Sequence, residues 1–221
     1  CGAAGDLAVE PAHSQAVIEW ITCWLRPEAS SAATAGLVGV ARILKLWARR
    51  RGIDRSFVGY LPSLAYLVLL CYVLRVRCPA MCVPRPLTSV EQVRVLLEFF
   101  RFYGDEWQPT SHVIVAGFPA HTSLAERPAW ARAPSIDDAT EQETTERCCG
   151  STSQSTQRGR LNTVGLETVA RVLDPVDPTV NLARFLTYRT LEKLRAAMRD
   201  ALDALSTSKS PQELTGKLFG K

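Results

Sequence analysis

Histidine is scarce. The 221 residues hold three, His13, His112 and His121, too scattered for a Ser-His-Asp set or a metal-binding triplet to follow from spacing. A Gly-rich phosphate loop of the Walker type is absent, which excludes P-loop chemistry. No apolar run reaches the ~20 residues that a bilayer-spanning helix needs. The longest, Leu61 to Val76, is interrupted by Pro62, Ser63 and Arg75 and reads as a buried core helix. The seven cysteines are odd in number, and several sit inside apolar runs. Cys78-x3-Cys82 lacks a second ligand pair, so neither a disulfide framework nor a zinc site is supported. Buried thiols in a reducing compartment, cytoplasmic or mitochondrial, fit better. The net charge of +4 is too small to announce a polyanion binder by itself.

What is present is ordinary for a globular chain: 47% hydrophobic and 22% charged residues, enough for one large domain or one and a half small ones. The charge is unevenly placed. Arg42, Lys45, Arg49, Arg50, Arg51 and Arg55 share one short segment, while Asp137, Asp138, Glu141, Glu143 and Glu146 form an acidic one. A clustered basic face favours a phosphate-bearing partner. The chain begins at Cys1 with no initiator methionine, which raises the expectation of a longer precursor or a partial chain.

Apolar spacing predicts helices over Ser14–Leu25, on Val17, Ile18, Ile21, Trp24 and Leu25, and over Gly36–Arg51, on Leu37, Val40, Ile43, Leu44 and Trp47. Gly52 stops the second. A further helix is predicted from a Ser89 cap through Tyr103, its stripe Val93, Leu96, Leu97, Phe100 and Tyr103. Asn181–Leu205 reads as helical in two pieces, with a stripe from Leu191 through Met198 to Leu205. Residues 5–9, His112–Ala116 and Val169–Leu173 read as short strands, the last as strand or turn. Residues 133–160 are polar and small and read as a mobile insertion.

Lys45 and Arg49, four apart, share a helix face and can hold two phosphates. Ser63 opens the next helix, where a hydroxyl joins the positive end of the backbone dipoles. The segment Lys45-Leu46-Trp47-Ala48-Arg49, followed by Gly59-Tyr60-Leu61-Pro62-Ser63, resembles the Lys-x-Trp-Ala-Lys helix and Gly-x-Leu-Ser-Ser-Tyr turn of the non-canonical poly(A) polymerases and terminal uridylyltransferases, members of the DNA polymerase β-like nucleotidyltransferases. Phe99-Phe100-Arg101-Phe102-Tyr103 resembles a core helix of that family. Leu173-Asp174-Pro175 with Asn181-Leu182-Ala183-Arg184 resembles its Glu-Asp-Pro…Asn-Val-Gly-Arg motif beside the base pocket. The resemblance covers most of residues 5 to 205.

The resemblance implies an α+β fold: a mainly helical central and PAP-associated domain over 26–205, beside a remnant of the catalytic palm sheet in 1–25, with a tail at 206–221. It implies template-independent transfer of a nucleotidyl group from UTP or ATP to an RNA 3′ end, with Mg2+ or Mn2+ as cofactor. Asp6 stands where the third metal-binding, catalytic carboxylate belongs. Lys45, Arg49 and Ser63 would hold the triphosphate. Leu64, Asp177, Val180, Asn181 and Arg184 would line or adjoin the base pocket. His13-Ser14 lies near a family segment that touches the nucleotide sugar.

Three departures stand against full activity. The Gly-Ser…Asp-x-Asp pair of carboxylates does not occur between Cys1 and Lys45. Leu64 replaces a stacking tyrosine, and Tyr66 points elsewhere on the helix. Val180 replaces a histidine that helps exclude ATP. The alternatives are therefore a catalytically inactive relative, acting as a structural or RNA-binding subunit within a protein complex, and a relative acting on small nucleotides.

Overall fold

Residues Ser63–Arg77 form a helix, α3, that is apolar nearly all round, with Ala65, Tyr66, Val68, Leu69, Leu70, Cys71, Val73 and Leu74 buried. Such a helix is stable only inside a ring of neighbours. The computed structural model describes residues 13–25, 35–81, 87–118 and 169–220. Within them the elements are α1 (His13–Leu25), α2 (Ala35–Arg51), α3, α4 (Ser89–Arg101), β1 (Val113–Ile114), β2 (Arg171–Val172), α5 (Tyr188–Thr207) and α6 (Pro211–Phe219). Helices α2 and α4 and both strands pack on α3, while α5 packs on α4 and α6, and α6 also reaches α2. The strands pair in parallel, Val113 against Arg171 and Ile114 against Val172. The architecture is α+β, as the sequence predicts, mostly helical with a small sheet.

The core centres on aromatics. Trp47 meets Phe100 edge to face at 4.8 Å and Tyr66 at 6.4 Å, an arrangement that adds to the area they bury. Tyr66 is buried and its hydroxyl donates to the Ile53 carbonyl at 2.7 Å, anchoring the chain just after α2. Tyr103 donates likewise to Leu69 O at 2.9 Å. Burial pushes both phenols well above their ordinary value. The unfolded chain therefore ionises first: this contribution is full below about pH 10 and is lost as pH rises beyond it. Urea midpoints measured across the alkaline range are expected to fall above that value, less steeply in Tyr66→Phe.

Several elements differ from expectation. In α1 the buried face is Ala16, Trp20 and Trp24, not Val17 and Ile18, and Ile18 is 56% exposed. Both indoles donate to one carbonyl, Gly117 O, at 2.6 and 3.0 Å, and this turns the helix. The cap of α4 is Thr88, not Ser89: Thr88 Oγ1 accepts from Glu91 N while Glu91 Oε2 accepts from Thr88 N, a capping box. Helix α4 buries Val95, Leu96, Phe99 and Phe100 and leaves Val93 exposed. It passes at Phe102–Glu106 into a π-helical turn, which Trp107 N closes on Phe102 O. Gly104 in that turn lies so close to α5 that a Cβ would stand 3.3 Å from Arg199 Cγ. The predicted strand at His112–Ala116 narrows to two residues.

The last long helix starts at Tyr188, not Asn181. Thr187 caps it reciprocally with Thr190, and Asn181 directs its amide to the backbone of β2, which competes with helix formation. Ala201 and Ala204 are buried where Leu202 and Leu205 are half-exposed. Residues 211–219, within the segment read as a tail, form α6, whose Lys217 O accepts from Arg51. The strand at 5–9 and the insertion at 133–160 lie outside the described residues.

Candidate nucleotide-binding site

Helix α2 turns Val40, Leu44, Trp47 and Ala48 inward and leaves Arg42, Lys45, Arg49 and Arg50 exposed. Arg49, Arg50 and Arg51 occupy its last turn, where cations complement the negative end of the helix dipole. Lys45 and Arg49 stand one turn apart on the solvent side. Neither forms an ion pair with a described carboxylate, so both ammonium and guanidinium are open to an anion.

Ser63, also exposed, is the first residue of α3. The N-cap is Pro62, whose side chain offers no hydrogen bond to the first turn. The backbone N–H groups at that end are left without a side-chain cap, and the Ser63 hydroxyl has no partner among the described residues. Helix termini of this kind accept anions. Leu64 is half-buried and packs on the core.

The loop between α2 and α3 is held at both ends. Gly52 (φ 67°) ends α2, and Tyr66 ties down Ile53. Gly59 takes φ 91°, and a Cβ there would stand 3.2 Å from Phe185 O. Thr190 Oγ1 donates to Gly59 O at 2.6 Å. This latch joins the loop that leads to Ser63 to the start of α5. Gly59→Ala is expected to cost about 1–3 kcal/mol through the left-handed backbone and the close carbonyl, read as a lower urea midpoint with an unchanged slope.

The second half of the candidate site is the turn after β2. Leu173 bridges Asn181, Asp174 N donates to Val180 O at 3.0 Å, and Leu182 N donates to Val172 O at 2.8 Å. Asp174, 2% exposed, is the buried charged residue of the described core. Its Oδ1 accepts from Val176 N at 2.9 Å and Asp177 N at 3.2 Å. Its Oδ2 lies 3.1 Å from His13 Nε2 at the start of α1. Sequence reasoning placed His13 and Asp174 in separate motifs and missed the pair; the one local signal was an aspartate ahead of two prolines.

The structure places the remaining candidates as follows. Asn181 Oδ1 accepts from Val172 N and Ala183 N, both at 3.0 Å, and Nδ2 donates to Ala170 O at 2.9 Å. One amide hydrogen remains for another partner. Asp177 Oδ1 accepts from the backbone and hydroxyl of Thr179. Val180 is half-buried against the core. Arg184 is exposed, with its guanidinium 4.8 Å from the centre of the Phe185 ring. Asp6 lies outside the described residues. Among those residues no group of three or more histidine, cysteine or carboxylate side chains could hold a metal ion, and no helix is long and apolar enough to cross a membrane.

The fold resembles that of solved RNA terminal uridylyltransferases. A cytoplasmic RNA terminal U-transferase superposes with a TM-score of 0.56 at 15% identity, covering 93% of this chain and 61% of that one. Cid1 poly(U) polymerase superposes with 0.56 at 16%, covering 95% and 61%. Cid1 in complex with its short product ApU gives 0.56 at 17%, covering 95% and 63%. The chain thus spans about three fifths of the length of these structures, and identities this low speak for fold alone. The sequence matches no family model and no curated protein.

Proposed function

We propose that the chain is the nucleotide-binding part of an RNA 3′-terminal nucleotidyltransferase, adding uridylyl or adenylyl groups from the triphosphate to an RNA 3′-hydroxyl. The observation that carries this reading is the Lys45–Arg49 pair, exposed and free of described carboxylates, on a helix that packs on α3, whose uncapped start bears Ser63. Cid1 has been seen with the UTP analog UMPNPP and with ApU, which supports a nucleoside triphosphate and RNA as ligands here.

In this reading Lys45 and Arg49 grip the phosphates, and Ser63 donates its hydroxyl beside the free N–H groups of α3. Asp174 shapes the turn that presents Asp177, Val180 and the remaining Asn181 amide hydrogen to the base. Related Cid1 structures carry magnesium with nucleotide. Among the described residues no set fits a metal; by its place in the resemblance, Asp6 would be this chain's metal ligand.

The test is extension of a labelled RNA oligomer with UTP, ATP, GTP or CTP. Extension abolished by Lys45→Ala and by Asp6→Ala supports the reading, and extension that survives Asp6→Ala overturns it. A second reading, a nucleotide- or RNA-binding subunit without catalysis, draws on the engagement of the Asn181 amide with Ala170, Val172 and Ala183. Nucleotide-dependent stabilisation without extension would favour it.

A further inference from the structure

Three large aromatic side chains stand in solvent: Phe57 is 84%, Tyr188 59% and Phe185 55% exposed. The tryptophans Trp20, Trp24, Trp47 and Trp107 are all buried, so these rings are exceptions to how the chain disposes of aromatic area. They lie on two segments that meet at Gly59. Phe57 lies in the short turn Ser56–Val58, two residues before Gly59. Gly59 abuts Phe185 O and accepts from Thr190 Oγ1, and Tyr188 opens α5 two residues before Thr190. The latch between the α2–α3 loop and the start of α5 thus joins the two segments that carry the three rings.

Arginines border them. Arg55 and Arg189 are exposed on the same two segments and form no ion pair with a described carboxylate. Arg184 stacks its guanidinium on Phe185. The neighbouring Glu192 is engaged by Arg195 at 3.3 Å. Flat rings in solvent with unneutralised guanidinium groups beside them match the alternation of bases and phosphates in a single strand. A second copy of this chain would bring the same positive charges face to face.

We infer that Phe57, Phe185 and Tyr188 form a stacking strip for single-stranded RNA, with Arg55 and Arg189 on its phosphates. The choice of RNA rests on the proposed function; the strip itself rests on the rings and the arginines. It uses none of Lys45, Arg49 and Ser63 and would hold the acceptor strand, not the triphosphate.

The experiment is fluorescence anisotropy of the whole chain with a labelled single-stranded RNA of about 15 nucleotides, and with the same sequence as a duplex. Phe57→Ala and Tyr188→Ala are each expected to weaken single-strand binding by about 5- to 150-fold. Arg189→Gln is expected to lower the salt slope by about 0.7. All three positions are exposed, so circular dichroism should remain that of the parent. The inference is overturned if the parent binds no single strand, if the duplex binds as tightly, or if the ring variants alter sedimentation but leave RNA affinity unchanged. UTP and ATP titrations of the same variants separate the two readings. RNA affinity that falls with the rings while neither nucleotide binds the parent sustains the strip and removes the proposed function. Nucleotide binding with RNA affinity indifferent to the rings does the reverse.

Discussion

Replacing Lys45 and Arg49 together by alanine is expected to abolish the stabilisation of the chain by UTP or ATP while leaving its fold intact. Both side chains are exposed and face solvent from a helix whose opposite side carries Leu44, Trp47 and Ala48 into the core. Their removal opens no cavity and orphans no described carboxylate. A hydrogen bond to a charged group contributes about 1.5–3 kcal/mol, so the pair removes roughly 3–6 kcal/mol, on the order of 10²- to 10⁴-fold in Kd. Isothermal titration calorimetry with each triphosphate reads it directly. The affinity lost should itself depend on salt, since the sites are open to solvent. A double variant that binds nucleotide as the parent does would show that α2 merely displays a solvated basic face, its arginines complementing the helix dipole.

Asp174→Ala is expected to destabilise the fold by about 2–6 kcal/mol, because two backbone donors lose their acceptor at about 1–3 kcal/mol each. Those donors, Val176 N and Asp177 N, shape the turn that carries Val180 and Asn181. Alanine also frees His13, which is held by the other carboxylate oxygen. Asp174→Asn keeps one oxygen for the two N–H groups, and a neutral His13 can accept from the new amide, so its loss should be markedly smaller. Urea unfolding of the two variants separates turn-capping from a requirement for charge. Equal losses in both would place the stabilisation in the ion pair with His13; an intact alanine variant would remove Asp174 from the architecture of the turn.

The helices could be read from sequence because their causes are local. The spacing of Leu37, Val40, Leu44 and Trp47 predicted α2 and its buried side, and with that side known the exposure of Lys45 and Arg49 followed. Gly52 marked the end of α2, while the helix expected from Leu61 starts at Ser63 behind the Pro62 cap. The faces of α1 and α4 were less legible. Ile18 and Val93 are as apolar as the residues that were buried instead, and a carbonyl 97 residues from Trp20 selects the face of α1. The start of α5 was misplaced for a similar reason: Asn181 fits a helical pattern until its amide finds the strand of Ala170 and Val172.

The sequence by itself determined α1 to α4 and the body of α5, the pair of cations one turn apart and the serine at the head of the central helix, since these depend on residues within a few positions of one another. Tertiary structure alone decided which residues share a site. His13 meets Asp174 across 161 positions and Thr190 meets Gly59 across 131; nothing in the local pattern of either member names its partner. The segments that carry Phe57 and Tyr188 are tied through that second contact. A hydrogen bond closing so long a loop forms only once hydrophobic packing has already ordered the chain around it.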